Sequence, residues 1–146
     1  MTMHRRPVGR TRLLAAIGAL VALAGCFLPW WTFGGDDGLP LRSGNAFDSL
    51  GILVFGASIA TLALVTLPYA SERPVTADRW SSYAIFAAIG WIGFAYRVID
   101  LGVNRAFQFT EPVEVVTRIP GLWLAGIGLF ILARATFEML HEPRLR

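Results

Sequence analysis

The sequence predicts an all-α membrane protein: a bundle of four transmembrane helices, with a small β element in the loops at one end, forming a single domain over residues 1–146. Three observations predict it. The chain is 55% hydrophobic and only 16% charged, with a mean hydropathy of +0.55, whereas about a quarter of the residues of an ordinary soluble domain are charged. Four long apolar runs, nearly free of charge, recur along it, each of the length needed to cross about 30 Å of hydrocarbon as a helix. The segments between them are short, polar and rich in turn-forming residues.

Met1 to Arg12 is a basic tail carrying Arg5, Arg6, Arg10 and Arg12 and no acid. The first span, Leu13 to Phe33, then runs without a charge. The second occupies Ser49 to Ala70, the third Trp80 to Leu101, and the fourth Ile119 to Leu140. A helix satisfies every backbone hydrogen bond within itself, which is what a hydrocarbon environment demands. In the fourth span Arg134 and Glu138 stand four apart, so they can pair on one helix face and reach the interface. In the third, Arg97 and Asp100 stand three apart, and Asp100 lies roughly 30 Å of helical rise from Trp80. That depth predicts an interfacial ion pair closing the span. The competing expectation is a functional site, because ionisable groups within spans are costly unless paired or wetted.

The connecting segments set the orientation. Four spans place both termini on one side, together with nine of the Arg residues, Arg5, Arg6, Arg10, Arg12, Arg73, Arg79, Arg134, Arg144 and Arg146, against Arg42, Arg97, Arg105 and Arg118 on the other. The positive-inside rule then predicts a multi-pass protein of the bacterial inner (plasma) membrane with cytoplasmic termini. Aromatic residues fit belts at both interfaces, with Trp30, Trp31, Tyr96 and Trp123 at the outer ends and Tyr69, Trp80, Tyr83 and Phe137 at the inner ends.

The inner connection, Ser71 to Arg79, reads as a turn around Pro74. The first outer loop, Gly34 to Asp48, holds Gly34, Gly35, Asp36, Asp37, Gly38, Pro40 and Gly44, a composition suited to a hairpin. Asn45 followed by Asp48 has the pattern of a helix cap with an acid in the first turn. In the second outer loop Phe107 and Phe109 alternate with polar residues, and Val113 to Thr117 is β-prone, so two short strands are expected there, pairing with each other or with the first loop. Small residues four apart, Gly18/Ala22/Cys26, Gly56/Ala60, Ala84/Ala88 and Gly121/Ala125, predict closely packed helices.

Motifs that carry chemistry are scarce. Leu23 to Cys26 reads LAGC and resembles a lipoprotein lipobox behind a basic tail, which makes Cys26 a candidate for lipidation. The run continues apolar through Phe27, Leu28, Pro29, Trp30 and Trp31, so an uncleaved first helix is preferred. Arg5 and Arg6 are not followed by the rest of a twin-arginine signal, and His4 and His141 have no companion at metal-ligand spacing. A lone Cys forms no intramolecular disulfide. No phosphate loop, dinucleotide fingerprint, zinc-protease motif or nucleophile elbow occurs, so no catalytic residue, cofactor or metal is expected. The first two spans lack any acid or base, which argues against proton-coupled transport. A pI near 9.8 with a net charge of only +3, its Arg residues spread over termini and loops, gives no nucleic-acid surface.

The basic tail leading to FLPWW, NAFD at Asn45 to Asp48, YRVID at Tyr96 to Asp100 and GLWLAGIG from Gly121 resemble the small four-helix transmembrane proteins of actinobacterial genomes. The likeness extends over most of the chain, and the absence of Lys beside abundant Ala, Gly, Leu and Val fits a GC-rich genome. That resemblance implies the fold and no established activity. The expected role is non-enzymatic: a structural, accessory or interaction subunit whose partners are the lipid bilayer and either another membrane protein or itself, with Trp30, Trp31, Arg97, Asp100 and the outer loops as its working surface. The alternative is a small channel or transporter subunit in which Arg97 and Asp100 line an outer vestibule.

Overall fold

A computed structural model describes residues 9–35, 38–70 and 78–141. The tail with His4, Arg5 and Arg6, the acids Asp36 and Asp37, the connection around Pro74, and Arg144 and Arg146 lie outside the described residues. The elements are α1 (Arg10–Phe27), β1 (Trp31–Phe33), β2 (Arg42–Gly44), a 3-10 turn (Ala46–Asp48), α2 (Ile52–Ala70), α3 (Trp80–Val103), α4 (Glu114–Thr117) and α5 (Pro120–His141). Four of these, α1, α2, α3 and α5, are long and apolar enough to cross a membrane, which is the build of a multi-pass membrane protein. Only 28–39% of each span is buried inside the bundle, so most of every helix surface is left for lipid.

The spans form a four-cornered bundle in which α1 packs on α5 and α2, and α3 packs on α2 and α5. The α1–α5 contact is the closest, for a steric reason. A Cβ on Gly18 would sit 2.8 Å from the Gly128 carbonyl oxygen, and one on Gly128 would sit 2.2 Å from the Ala22 nitrogen. One turn-pair further along, a Cβ on Gly25 would lie 2.4 Å from the Ala125 nitrogen, and one on Gly121 would lie 2.4 Å from the Leu28 oxygen. The glycines are spaced by seven on each antiparallel helix, so both pairs fall on one seam and the backbones touch directly. Apolar burial supplies little drive between helices already in lipid, so this close packing carries the association. Of the small-residue pairs predicted to pack, Gly18/Ala22 and Gly121/Ala125 do so. Gly56 meets nothing within 4 Å, and α3 packs through Ala87, Gly90 and Gly93 in place of Ala84/Ala88.

Several boundaries differ from expectation. The first span stops at Phe27, not Phe33, because Leu28 precedes Pro29 and takes an extended conformation (φ −87°, ψ 159°). Trp31–Phe33 becomes a strand, pairing antiparallel with Arg42–Gly44 in the register Trp31↔Gly44, Thr32↔Ser43, Phe33↔Arg42. The β element is therefore a hairpin within the first loop. The strands expected at Phe107, Phe109 and Val113 to Thr117 do not form: the two rings stack at 6.1 Å, and Glu114–Thr117 is a helical turn. Local polar contacts override the β propensity there, since Glu114 accepts hydrogen bonds from the Thr110 N–H and hydroxyl and pairs with Arg118 four residues on. Asn45 and Asp48 do form a capping box, but on the 3-10 turn, so α2 begins at Ile52. α3 runs two residues past Leu101 and ends in a Schellman closure, with Ala106 N–H on the Leu101 carbonyl and Arg105 left-handed at φ 55°.

Gly128→Leu would force the α1 and α5 backbones apart and is expected to lower stability by about 1–3 kcal/mol. Gly56→Leu, whose side chain enters open space, should stay within about 0.5 kcal/mol of the parent. Thermal unfolding of both variants in the same detergent is the check.

Candidate functional site at the hairpin end

The helix ends explain how this site is assembled. Pro29 has no N–H, so the Gly25 carbonyl four residues back loses its helical donor. The Trp30 indole takes that place, its Nε1 donating to Gly25 O at 2.8 Å. The ring is fully buried and lies edge-on to Phe94 of α3 at 5.7 Å. Trp30 is therefore a plug beneath the loops and not the interfacial anchor the doublet suggested. Its backbone N–H donates to Gly44 O at 2.7 Å, which ties the hairpin to the end of α1. Trp31 is partly buried, and its indole covers the bare backbone of Gly44 across the sheet.

The start of α5 supplies the opposite wall. Pro120 occupies the first helical position, and the next free N–H, that of Gly121, donates to Pro29 O at 2.9 Å. Thr32 Oγ1 donates to Arg118 O at 2.8 Å, and Trp123 Nε1 donates to Val115 O at 2.9 Å. Between the hairpin and this segment lies a cleft of about 400 Å³, lined by Pro29, Thr32, Gly34, Gly35, Leu41, Ser43, Thr117 and Arg118.

Arg97 and Asp100 are brought together as the sequence predicted, Nη1 to Oδ2 at 2.5 Å. Asn104 completes the group, donating from Nδ2 to the other Asp100 oxygen at 3.0 Å. Burial is uneven, with 8% of the Arg97 side chain exposed against 31% for Asp100, and the Arg97 Nε has no acceptor among the described residues. The cation is thus inside the protein and its counter-ion at the edge.

Two polar groupings went unread in the sequence. At the opposite end of the bundle Arg12 grips Asp78 through both carboxylate oxygens, at 2.7 and 3.1 Å, and the Tyr83 hydroxyl donates to Asp78 at 3.2 Å. Tyr83 is 1% exposed, so it belongs to this clasp and not to an aromatic belt. The signal available was Asp78 itself, an acid just before a span opposite an Arg just inside another. Glu114 is the second: the Thr110 N–H, the Thr110 hydroxyl and the charge of Arg118 together hold its carboxyl below the ordinary range. Cys26 is fully buried near the end of α1, next to Gly25 of the α1–α5 seam. Cleavage before it would remove the α1 side of that seam. Among the described residues no three His, Cys, Asp or Glu side chains gather at metal-binding distance.

Asp100→Asn leaves a buried guanidinium without its counter-charge and is expected to cost about 1–3 kcal/mol in detergent unfolding, the partial exposure of Asp100 keeping it below the largest values for buried pairs. The double substitution Arg97→Met, Asp100→Leu should recover most of that loss. Because the folded pKa of Glu114 is lowered, its contribution to holding α4 is present above the ordinary carboxylate pKa and is lost as pH falls through the lowered folded value. Trp123 emission, reporting on Val115, should shift across that acid window in the parent and stay flat in Glu114→Gln.

No protein-family model, no curated protein and no solved structure matches this chain, so its functional reading rests on the geometry above.

Proposed function

We propose that this protein is a non-enzymatic interaction subunit of a plasma-membrane assembly, with its termini in the cytoplasm, which binds another membrane protein or a second copy of itself through the hairpin end. The observation that carries this reading is a hydrogen-bonded hairpin bearing exposed apolar side chains beyond the ends of the long helices. The hairpin is tied to α1 and α5 by Trp30, Thr32 and Gly121, and on it Phe33 and Leu39 are 41% and 65% exposed. Apolar side chains grouped on an ordered surface outside the hydrocarbon mark a contact site more often than a solvated one. Trp31 pairs with the hairpin's second strand and Asp100 is partly exposed, while Trp30 and Arg97 are buried. The second reading, a small channel subunit with Arg97 and Asp100 at a vestibule, draws on the buried guanidinium with its unfilled Nε.

Gentle extraction through a C-terminal tag followed by native mass spectrometry should return a stoichiometric complex. The double variant Phe33→Ser, Leu39→Ser should lose the partner while keeping the thermal midpoint of the parent. A parent that runs alone sinks the interaction reading, and a change in ion flux from vesicles on Asp100→Asn would favour the second.

A further inference from the structure

We infer that the cleft beneath the hairpin binds a neutral, hydroxyl-rich group of the sugar or polyol class at the membrane surface. The inference goes beyond the interaction reading and stands on different residues.

Sheet geometry builds one wall. Thr32 and Ser43 are register partners on the two strands, so their side chains project from the same face, and Leu41, two residues before Ser43, shares it. All three line the cleft. Trp31, Phe33 and Arg42 belong to the opposite face. Glycine keeps the end of this wall bare. Gly34 has φ +80° and a Cβ there would sit 2.5 Å from the Pro40 oxygen, while Gly35 has φ +90° and a Cβ would sit 3.0 Å from Leu41 Cδ1. Any other residue is strained at either position by the positive φ, and at Gly35 it would also press on Leu41.

Hydrogen-bond bookkeeping selects the ligand chemistry. Thr32 spends its hydroxyl proton on Arg118 O and Thr117 spends its own on Val113 O, at 2.8 and 3.1 Å. Each oxygen therefore keeps its lone pairs for an incoming donor, and Ser43 adds a third hydroxyl. At the rim Arg118 is paired with Glu114 at 3.0 Å, and Glu114 is further held by Thr110. An anion would have to compete with Glu114 for Arg118, and among the described residues the lining offers a cation no carboxylate. A neutral donor-rich molecule needs neither. Pro29 and Leu41 give the apolar surface against which the C–H face of a sugar ring packs, and 400 Å³ falls within the range of small-molecule sites, about 300–1,000 Å³. Such a group has two sources, a free saccharide or the headgroup of a glycolipid in the adjoining leaflet.

The test uses the full chain in nanodiscs. Maltose is titrated by saturation-transfer NMR, and retention of monoglucosyl-diacylglycerol is compared with that of phosphatidylglycerol by native mass spectrometry. Ser43→Leu, which fills the cleft, and Thr117→Val, which removes an acceptor at nearly constant shape, should each weaken binding at least about fivefold. Arg42→Gln, on the far face, should leave it unchanged, and thermal midpoints establish that all three variants fold. Saturable maltose binding lost in the two cleft variants supports the inference with a free ligand, and glucolipid retention lost in the same variants supports it with a lipid-borne one. Absence of binding by either probe, equal or preferred retention of phosphatidylglycerol, or binding indifferent to both cleft variants overturns it.

Discussion

Backbone contact between α1 and α5 is the constraint on which the rest of this structure depends. Gly18 and Gly25 face Gly128 and Gly121 so closely that no Cβ fits at any of the four positions. That contact fixes the end of α1 against the beginning of α5, and the consequences run outward from there. Leu28 lies on Gly121, Pro29 accepts the Gly121 N–H, and the chain leaves α1 in an extended conformation with one available course. Trp30 then fills the space below and supplies the donor that Pro29 lacks. The hairpin and its cleft are positioned by a helix–helix contact whose closest approaches are backbone to backbone.

Among the described residues, the polar groups buried in the bundle are paired or bonded within their own helices. Three of the hydroxyls buried in the spans, those of Ser58, Thr61 and Thr136, each donate to the carbonyl four residues back, at 2.8, 2.8 and 2.9 Å. This satisfies them without an interhelical partner. Charges sit at the two ends, as Arg12–Asp78 with Tyr83 at one and Arg97–Asp100 with Asn104 at the other. Since α1 and α3 are diagonal neighbours, the Arg12 clasp and the Trp30–Phe94 contact tie that diagonal at opposite ends. The Arg12 clasp is worth more than a solvated surface pair, because Asp78 is largely buried and accepts both from a bidentate guanidinium and from a phenol.

The hairpin end combines two surfaces with different chemistry. One face of the small sheet, with Phe33, and the loop at Leu39 present apolar groups outward. The other, with Thr32, Leu41 and Ser43, forms one wall of an open cleft that also holds Thr117 and the paired Arg118. Period-two alternation is what allows three-residue strands to carry both. Arg97 is a buried cation whose Nε meets no acceptor among the described residues, and Asp100, 31% exposed, carries the pair to the protein surface.

Much of this was legible in the sequence, and the boundary of legibility is physical. Four long apolar runs, nearly free of charge, determined four spans, because a buried peptide group in hydrocarbon must be bonded within its own helix whatever its neighbours are. Spacing determined the Arg97–Asp100 and Arg134–Glu138 pairs, since residues three and four apart meet on any helix, and the Gly-rich first loop determined a hairpin. Contacts between residues far apart in the chain were decided by tertiary structure alone. Nothing local distinguishes Gly18, which must be bare, from Gly56, which faces open space, or shows that Arg12 will meet Asp78. Trp30 and Trp31 are adjacent and chemically identical, yet one is buried and the other covers Gly44, because the chain turns at Pro29 and only the packed α5 behind it makes an inside for Trp30 to enter.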